Sequence, residues 1–244
     1  FKIMIINTRP ISLSQNIITL CQDKQINLIN AHLSEINQIM PEDIVDDWEL
    51  KLTNFHTYEN LIFTSQSSVK YGLELLRSRI DISKMKKNVF SVGLATKKIL
   101  SHENISSISP ENQSSEGILD ILNSNYSGKS LLFCGKNSNN NLQNTLKERI
   151  DEIVCYELIY SRDQLNKIPN GSAIVLIFNF LTLNFILDNF NYKFITNKVF
   201  IVASKKIKDR AVKNIKAIKD LGIKIVVSEE PSDESMLQVA KKFT

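Results

Sequence analysis

Eight short apolar runs punctuate the chain: Ile3–Ile6, Leu61–Phe63, Val89–Val92, Ile105–Ile108, Leu131–Cys134, Ala173–Phe178, Val199–Ala203 and Ile223–Val227. Each is rich in Ile, Val, Leu or Phe, and each leads into a stretch with helical spacing. Continuous apolar runs mark strands buried on both faces. Their alternation with helices predicts an α/β fold of parallel sheets flanked by helices. The clearest helix is expected from Lys205 to Leu221. Ile207, Ala211, Ile215 and Ile218 share one face there, while Lys206, Arg210, Lys213 and Lys216 lie largely off it.

Two segments break this rhythm. Asn27–Met40 reads as one long extended stretch, closed by Pro41. Asp151–Ser161 alternates over a length unusual for a short parallel strand. Two such strands can pair and bridge two lobes. About four strand–helix units lie between them, and a similar set lies outside.

The length of 244 residues fits one large or two small domains, at roughly 100–200 residues each. A net charge of +4 helps an anionic ligand approach but is not the balance of a dedicated nucleic-acid binder. No run of eighteen apolar residues occurs, so no membrane span is expected. The opening stretch lacks the cleavage site of a signal peptide. Cys21, Cys134 and Cys155, like His32, His56 and His102, are scattered. They have no metal or redox spacing, which predicts no metal site and a reducing, cytoplasmic location.

Familiar nucleotide and hydrolase motifs are missing. Gly128-Lys129-Ser130 resembles the tail of a phosphate loop, but position 123 is Asn and the triplet precedes a strand. It reads as a turn. There is no dinucleotide fingerprint and no nucleophile elbow. The acidic group Glu42, Asp43, Asp46 and Asp47 reads as a solvated first helical turn after Pro41.

The candidate chemistry lies at strand-to-helix junctions. Thr64-Ser-Gln-Ser-Ser68 follows an apolar run directly, and Ser65 or Ser67 can cap the helix that starts there. Val92–Thr96, Pro110–Gly117 and Thr8-Arg9-Pro10 repeat the pattern. Open α/β sheets bind ligands at the carboxyl ends of their strands. Several hydroxyl-lined helix starts on one edge make a cradle for carboxylates without a metal. Ser204-Lys205-Lys206 offers a further helix start for an anion.

The order of these motifs resembles the uroporphyrinogen-III synthase family. Thr8-Arg9-Pro10 comes first and Phe63-Thr64-Ser65 second. Val92-Gly93-x-x-Thr96 and Ser114-Ser115-Glu116-Gly117 follow. Leu131-Leu132-x-x-Gly135 is next, and Tyr156 stands in the family's Val-x-x-Tyr position. The chain departs from the family at Cys134 and Asn139, where Arg is common. It departs again at Asn179-Phe180 in place of Thr-Ser, and at Ala203-Ser-Lys-Lys206 in place of Gly-x-x-Thr.

The resemblance implies two α/β lobes joined by a two-stranded ladder, with the active site in the cleft between them. Residues 1–32 and 163–244 would form a discontinuous lobe, 42–150 the second, and 33–41 with 151–162 the bridge. It also implies cyclisation of hydroxymethylbilane with inversion of the last ring and loss of water, by a monomer needing no cofactor. Tyr156 would be the catalytic side chain. Arg9, Thr64, Ser65, Gly93, Thr96, Ser114, Ser115 and Lys206 would bind substrate. A non-catalytic, two-lobed binder of an anionic small molecule is the rival reading. A receiver-like or flavodoxin-like domain would need an acidic pocket or a flavin loop, and neither is evident. Dialysis against a chelator should leave turnover unchanged; activity that zinc, magnesium or a nucleotide restores would contradict the expectation of a cofactor-free site.

Overall fold

The computed structural model describes residues 4–40, 48–215, 218 and 220–243. The chain starts with β1 (Met4–Asn7), α1 (Gln15–Asp23) and β2 (Leu28–Asn30). It continues through β3 (Ser34–Gln38), α2 (Trp48–Thr53), β4 (Tyr58–Phe63), α3 (Gln66–Arg77), β5 (Asn88–Ser91) and α4 (Leu94–His102). Then come α5 (Ser115–Asn125), β6 (Lys129–Gly135), α6 (Asn141–Leu146) and the long β7 (Ile150–Tyr160). The last stretch carries β8 (Ala173–Ile177), α7 (Phe180–Asn189), α8 (Tyr192–Thr196), β9 (Lys198–Val202), α9 (Lys205–Asn214), β10 (Lys224–Val227) and α10 (Asp233–Lys241).

These elements form two five-stranded sheets, ordered β10-β9-β8-β1-β2 and β3-β7-β6-β4-β5. Two units follow: Phe1–Glu35 with Ile159–Thr244, and Ile36–Leu158. In the first unit β1 pairs in parallel with β2 and β8, and β9 with β8 and β10. In the second, β4 pairs in parallel with β5 and β6, and β6 with β7. The Ile39 N–H donates to the Cys155 carbonyl at 3.1 Å and the Ser161 N–H to the Leu33 carbonyl at 3.0 Å. Residue numbers therefore fall on β3 as they rise on β7, so the two run antiparallel.

The apolar runs are continuous because each sheet is covered on both faces. In the first unit Ile6, Val175, Ile177, Phe200 and Val202 belong to one core layer, and Ile5, Ile174, Leu176 and Ile201 to the other. In the second, Leu61, Phe63, Leu131, Phe133 and Ile153 pack one face while Ile62, Phe90, Leu132 and Cys134 pack the other. Successive strand residues thus alternate between two dry layers. Phe63 and Phe133 stack at 4.9 Å between centroids, and both are fully buried. Truncating either to Ala removes this contact and costs about 3–5 kcal/mol.

Three sequence expectations need correction. Asn27–Met40 is not one strand. β2 and β3 belong to different sheets, and the chain breaks its ladder at residues 31–33, where Ala31 and Leu33 are fully buried. Ile105–Ile108 makes only an isolated bridge, Phe90 with Ile108; Ser107 and Ser109 bond the Ser91 hydroxyl instead, and Pro110 follows. The helix expected over 205–221 ends at Asn214, whose side-chain amide donates to the Arg210 carbonyl at 2.8 Å while Ile215 turns extended. The Glu42–Asp47 group lies outside the described residues.

One buried cation has no carboxylate partner among the described residues. Lys198 is 1% exposed. Its Nζ donates to the Gly171 carbonyl at 2.6 Å and lies 4.0 Å from the centre of the Phe194 ring. Burial pushes its pKa down to about 8 from 10.5. The unfolded chain therefore binds more protons than the folded one between these values, so stability rises with pH across that window. Denaturant melts at pH 7.5 and pH 9.5 should show wild type gaining on Lys198→Met. Parallel changes in the two proteins would rule this out.

Candidate functional site

The second unit places three of the expected residues together at the carboxyl ends of its central strands. β4 leaves the sheet through Thr64 and Ser65, and α3 starts at once. Thr64 is held from both ends of its residue: its amide and its Oγ1 each lie 3.3 Å from the Phe133 carbonyl on β6. Ser65 is the N-cap, in extended backbone (φ −159°). Its Oγ accepts the Ser68 amide at 3.0 Å, and its own amide donates to Ser68 Oγ at 2.9 Å. This reciprocal capping box satisfies amides that the first helical turn leaves open.

The Tyr156 hydroxyl reaches the same cap, 3.0 Å from Ser65 Oγ. A bulge brings it there. Cys134 pairs with Val154, but Gly135 pairs with Tyr156, so β7 carries one extra residue. Two consecutive side chains then finish on α3: Cys155 Sγ lies 3.9 Å from the Ser68 carbonyl, and Tyr156 meets Ser65. The Tyr156 ring lies over bare backbone. A Cβ on Gly135 would come within 2.5 Å of Tyr156 Cζ. Tyr71 flanks the ring at 6.4 Å between centroids. Burial pushes the phenol above its ordinary pKa of 10.0, with the Ser65 hydrogen bond opposing. The group is therefore a neutral hydroxyl at physiological pH. If Ser65 donates to the phenol oxygen, the phenol proton remains available for a ligand.

Next to this pair, β5 leads through Gly93 into α4, and Ser114 caps α5. Gly93 supplies no side-chain cap. Gln113 fills that role, its Oε1 accepting the Leu94 amide at 3.2 Å from a backbone with φ 46°. Sequence reasoning missed Gln113, because a Gln ahead of one helix gives no sign that it serves another. Thr96 is buried in the first turn of α4. Ser114 Oγ accepts the Gly117 amide at 3.1 Å and donates to Asn112 Oδ1 at 2.9 Å, with Ser115 buried beside it. Gly117 is required there: a Cβ would lie 2.1 Å from Asn112 Oδ1.

Arg9 and Lys206 belong to the first unit. Arg9 is committed within it. Its guanidinium pairs with Asp233 at 3.0 Å and stacks 3.7 Å over Phe178. Burial lowers its pKa, and Asp233 and Glu234 oppose that. Lys206 is exposed on the first turn of α9, whose cap Ser204 accepts the Ile207 amide at 3.4 Å. Among the described residues no three His, Cys, Asp or Glu side chains gather as a metal site, and no helix is long and apolar enough to cross a membrane. Burial drives the Cys134 thiol up to about 12 and raises Cys155 as well, so neither is a ready nucleophile.

These features define a two-unit α/β protein with a phenol–hydroxyl pair at a carboxyl edge. The family model of uroporphyrinogen-III synthase HemD matches residues 15–238, and the chain belongs to the uroporphyrinogen-III synthase family. Its fold is similar to that of uroporphyrinogen-III synthetase from Helicobacter pylori 26695, at 18% identity and a TM-score of 0.65 over 99% of each chain. It is equally similar to a mutant uroporphyrinogen III synthase from the extremely thermophilic bacterium Thermus thermophilus, at 12% identity and a TM-score of 0.66 over 98% of each chain. At these identities the likeness is one of fold. No curated protein matches the chain by sequence.

Gly135→Ala should displace the Tyr156 ring and cost about 1–3 kcal/mol, as overpacking does. Gly171→Ala, where a Cβ meets nothing within 4 Å, is the control and should stay within about 0.5 kcal/mol of wild type. Equal melting points for the two variants would contradict the packing of Tyr156 on Gly135.

Proposed function

We propose that the chain carries out its family's reaction. Hydroxymethylbilane loses its terminal hydroxyl as water and closes, through a spiro intermediate, to uroporphyrinogen III with the last ring inverted. The observation that carries this reading is the family match over 15–238, together with the Tyr156–Ser65 pair. Nothing in the structure favours the non-catalytic rival.

The chemistry suits the residues. The substrate bears eight carboxylates, and the groups at this edge are neutral hydroxyls and capped helix starts. Such groups hold anions without fixing one geometry, as a bidentate Arg would. Tyr156 gives its phenol proton to the departing hydroxyl as the C–O bond breaks, so that water leaves, and takes back the proton that ring closure releases. Its raised pKa keeps the resting phenol neutral, so it adds no negative charge beside the carboxylates as substrate binds. Ser65 aims the phenol. Thr64, Gly93, Thr96, Ser114 and Ser115 shape a carboxylate cradle within the second unit, and on the first unit Lys206 offers positive charge at a helix start of its own. Because the bilane closes unaided to the type I isomer, orientation is most of the work. The family reading takes the protein to act as a monomer, and three free, buried cysteines suit a reducing compartment such as the cytoplasm.

An isomer-resolved product assay tests the function directly. Type III product supports it, whereas type I alone leaves only a binder. Tyr156→Phe should lower turnover roughly ten-fold or more, the lower range for losing a general acid, with melting little changed. Tyr160→Phe should retain more activity than Tyr156→Phe; the reverse ranking would reassign the catalytic phenol. Thr64→Ala with Ser65→Ala should weaken bilane binding beyond the roughly 1 kcal/mol that a lost cap costs in stability.

A further inference from the structure

α3 buries one face and leaves another. Leu73 and Leu76 turn into the core of the second unit, whereas Tyr71, Glu74, Leu75 and Ser78 fall at i, i+3, i+4 and i+7, one stripe of the helix. This stripe lines a cavity of about 170 Å³ within the second unit. Ile39 just past the end of β3, Trp48 at the start of α2 and Cys155 on β7 line it too. The space is bounded mainly by apolar and aromatic side chains. Glu74 is the one charged residue among the described ones that line it.

Trp48 gives the cavity its chemistry. The residue is 3% exposed and packs in the same core cluster as Ile39, Leu52 and Phe55. Its Nε1 is buried and has no hydrogen-bond partner. An indole nitrogen only donates, and a buried donor left unpaired keeps the full cost of its lost hydration. A molecule that brings an acceptor to this N–H recovers that loss.

We propose that this cavity is a binding site for a small, neutral, ring-sized molecule with one hydrogen-bond acceptor, which the Trp48 N–H holds. Size sets the upper limit. An apolar space of about 150 Å³ takes up a molecule such as benzene, whereas pockets for drug-sized ligands begin near ~300 Å³. The four-ring bilane is therefore too large, and its carboxylates would meet Glu74 and no cation. The occupant is neutral for the same reason. It carries an acceptor because the unpaired group is a donor; a ketone, ester or ether oxygen serves. Two lining residues also border the phenol: Tyr71, at 6.4 Å between ring centroids, and Cys155, next to Tyr156 in the chain. The site thus adjoins the Tyr156–Ser65 pair without being part of it, and it does not rest on the proposed function.

Trp48 is the only tryptophan of the chain, so protein labelled at the indole nitrogen gives one indole cross-peak in proton–nitrogen spectra. Millimolar cyclohexanone, whose ketone supplies the acceptor, should move the indole proton downfield along a saturable curve. The dissociation constant should be on the order of 1 mM, the scale for so small a ligand. Leu75→Phe builds part of the occupant's volume into the wall and should weaken binding roughly ten-fold or more, because a filled interior leaves no room. Ser78→Phe, at an exposed position, takes its place if that variant does not fold. Cyclohexanecarboxylate, of similar size but charged, should leave the peak where it is. A peak that stays still with cyclohexanone, or a linear drift that the filled variant shares, overturns the site. An equal response to the carboxylate overturns the neutral class of ligand.

Discussion

The second unit depends on a close approach between an aromatic ring and a residue with no side chain. Tyr156 occupies the space above Gly135, and the bulge between Cys134 and Gly135 lets the ring turn toward α3. Without the bulge, period-two alternation would send Cys155 and Tyr156 to opposite faces. With it, both reach α3, the thiol filling core and the phenol meeting the cap. The local ladder is disrupted, but backbone bonds remain: the Lys136 amide still donates to the Tyr156 carbonyl at 2.8 Å. Bulges of this kind re-aim side chains next to functional sites.

Dry sheets on both faces make this aim stable. Phe133 on β6 stacks on Phe63 of β4, and its carbonyl holds the Thr64 amide and hydroxyl. The same residue therefore packs the core with its ring and positions the loop with its backbone. Parallel strands deliver such loops to one edge, and the helices that follow start there. An α/β unit thus gathers several helix starts without needing charged side chains to do so.

Much of the fold was legible because buried parallel strands write themselves as uninterrupted apolar runs. The runs at Leu61–Phe63, Leu131–Cys134 and Ala173–Phe178 all lie in or overlap strands. Ile105–Ile108 counts with them although Ser106 and Ser107 interrupt it, and its pairing at the sheet edge is decided by Ser107, Ser109 and Pro110. Asn27–Met40 misled for a different reason: apolar patterning is blind to which sheet a strand joins. At the site, Ser65 was legible as a cap, because Thr and Ser before a helical pattern have one common use. Gln113 and the bulge were not, since both act through contacts distant in sequence. Arg9 was read as a substrate group, and its pairing with Asp233, more than two hundred residues away, was not legible.

The departure at Asn179 shows how a changed motif keeps its physical task. Where the family carries Thr-Ser, Asn179 caps α7, its Oδ1 accepting the Thr182 amide at 2.8 Å. Asn and Ser are near-equal caps, so the helix start is preserved. The cap also has a phenol beside it, Tyr160, whose hydroxyl lies 3.2 Å from Thr182 Oγ1 and 3.4 Å from Asn179 Oδ1. Each unit therefore sets a β7 tyrosine against the cap of a helix that follows a central strand. The two phenols differ in what they can still give. Ser65 can donate to Tyr156 and free the phenol proton, whereas the Asn179 oxygen can only accept, and draws the Tyr160 proton inward. The chemistry of the cap residue, and not the tyrosine itself, decides whether the phenol proton is turned inward or left free.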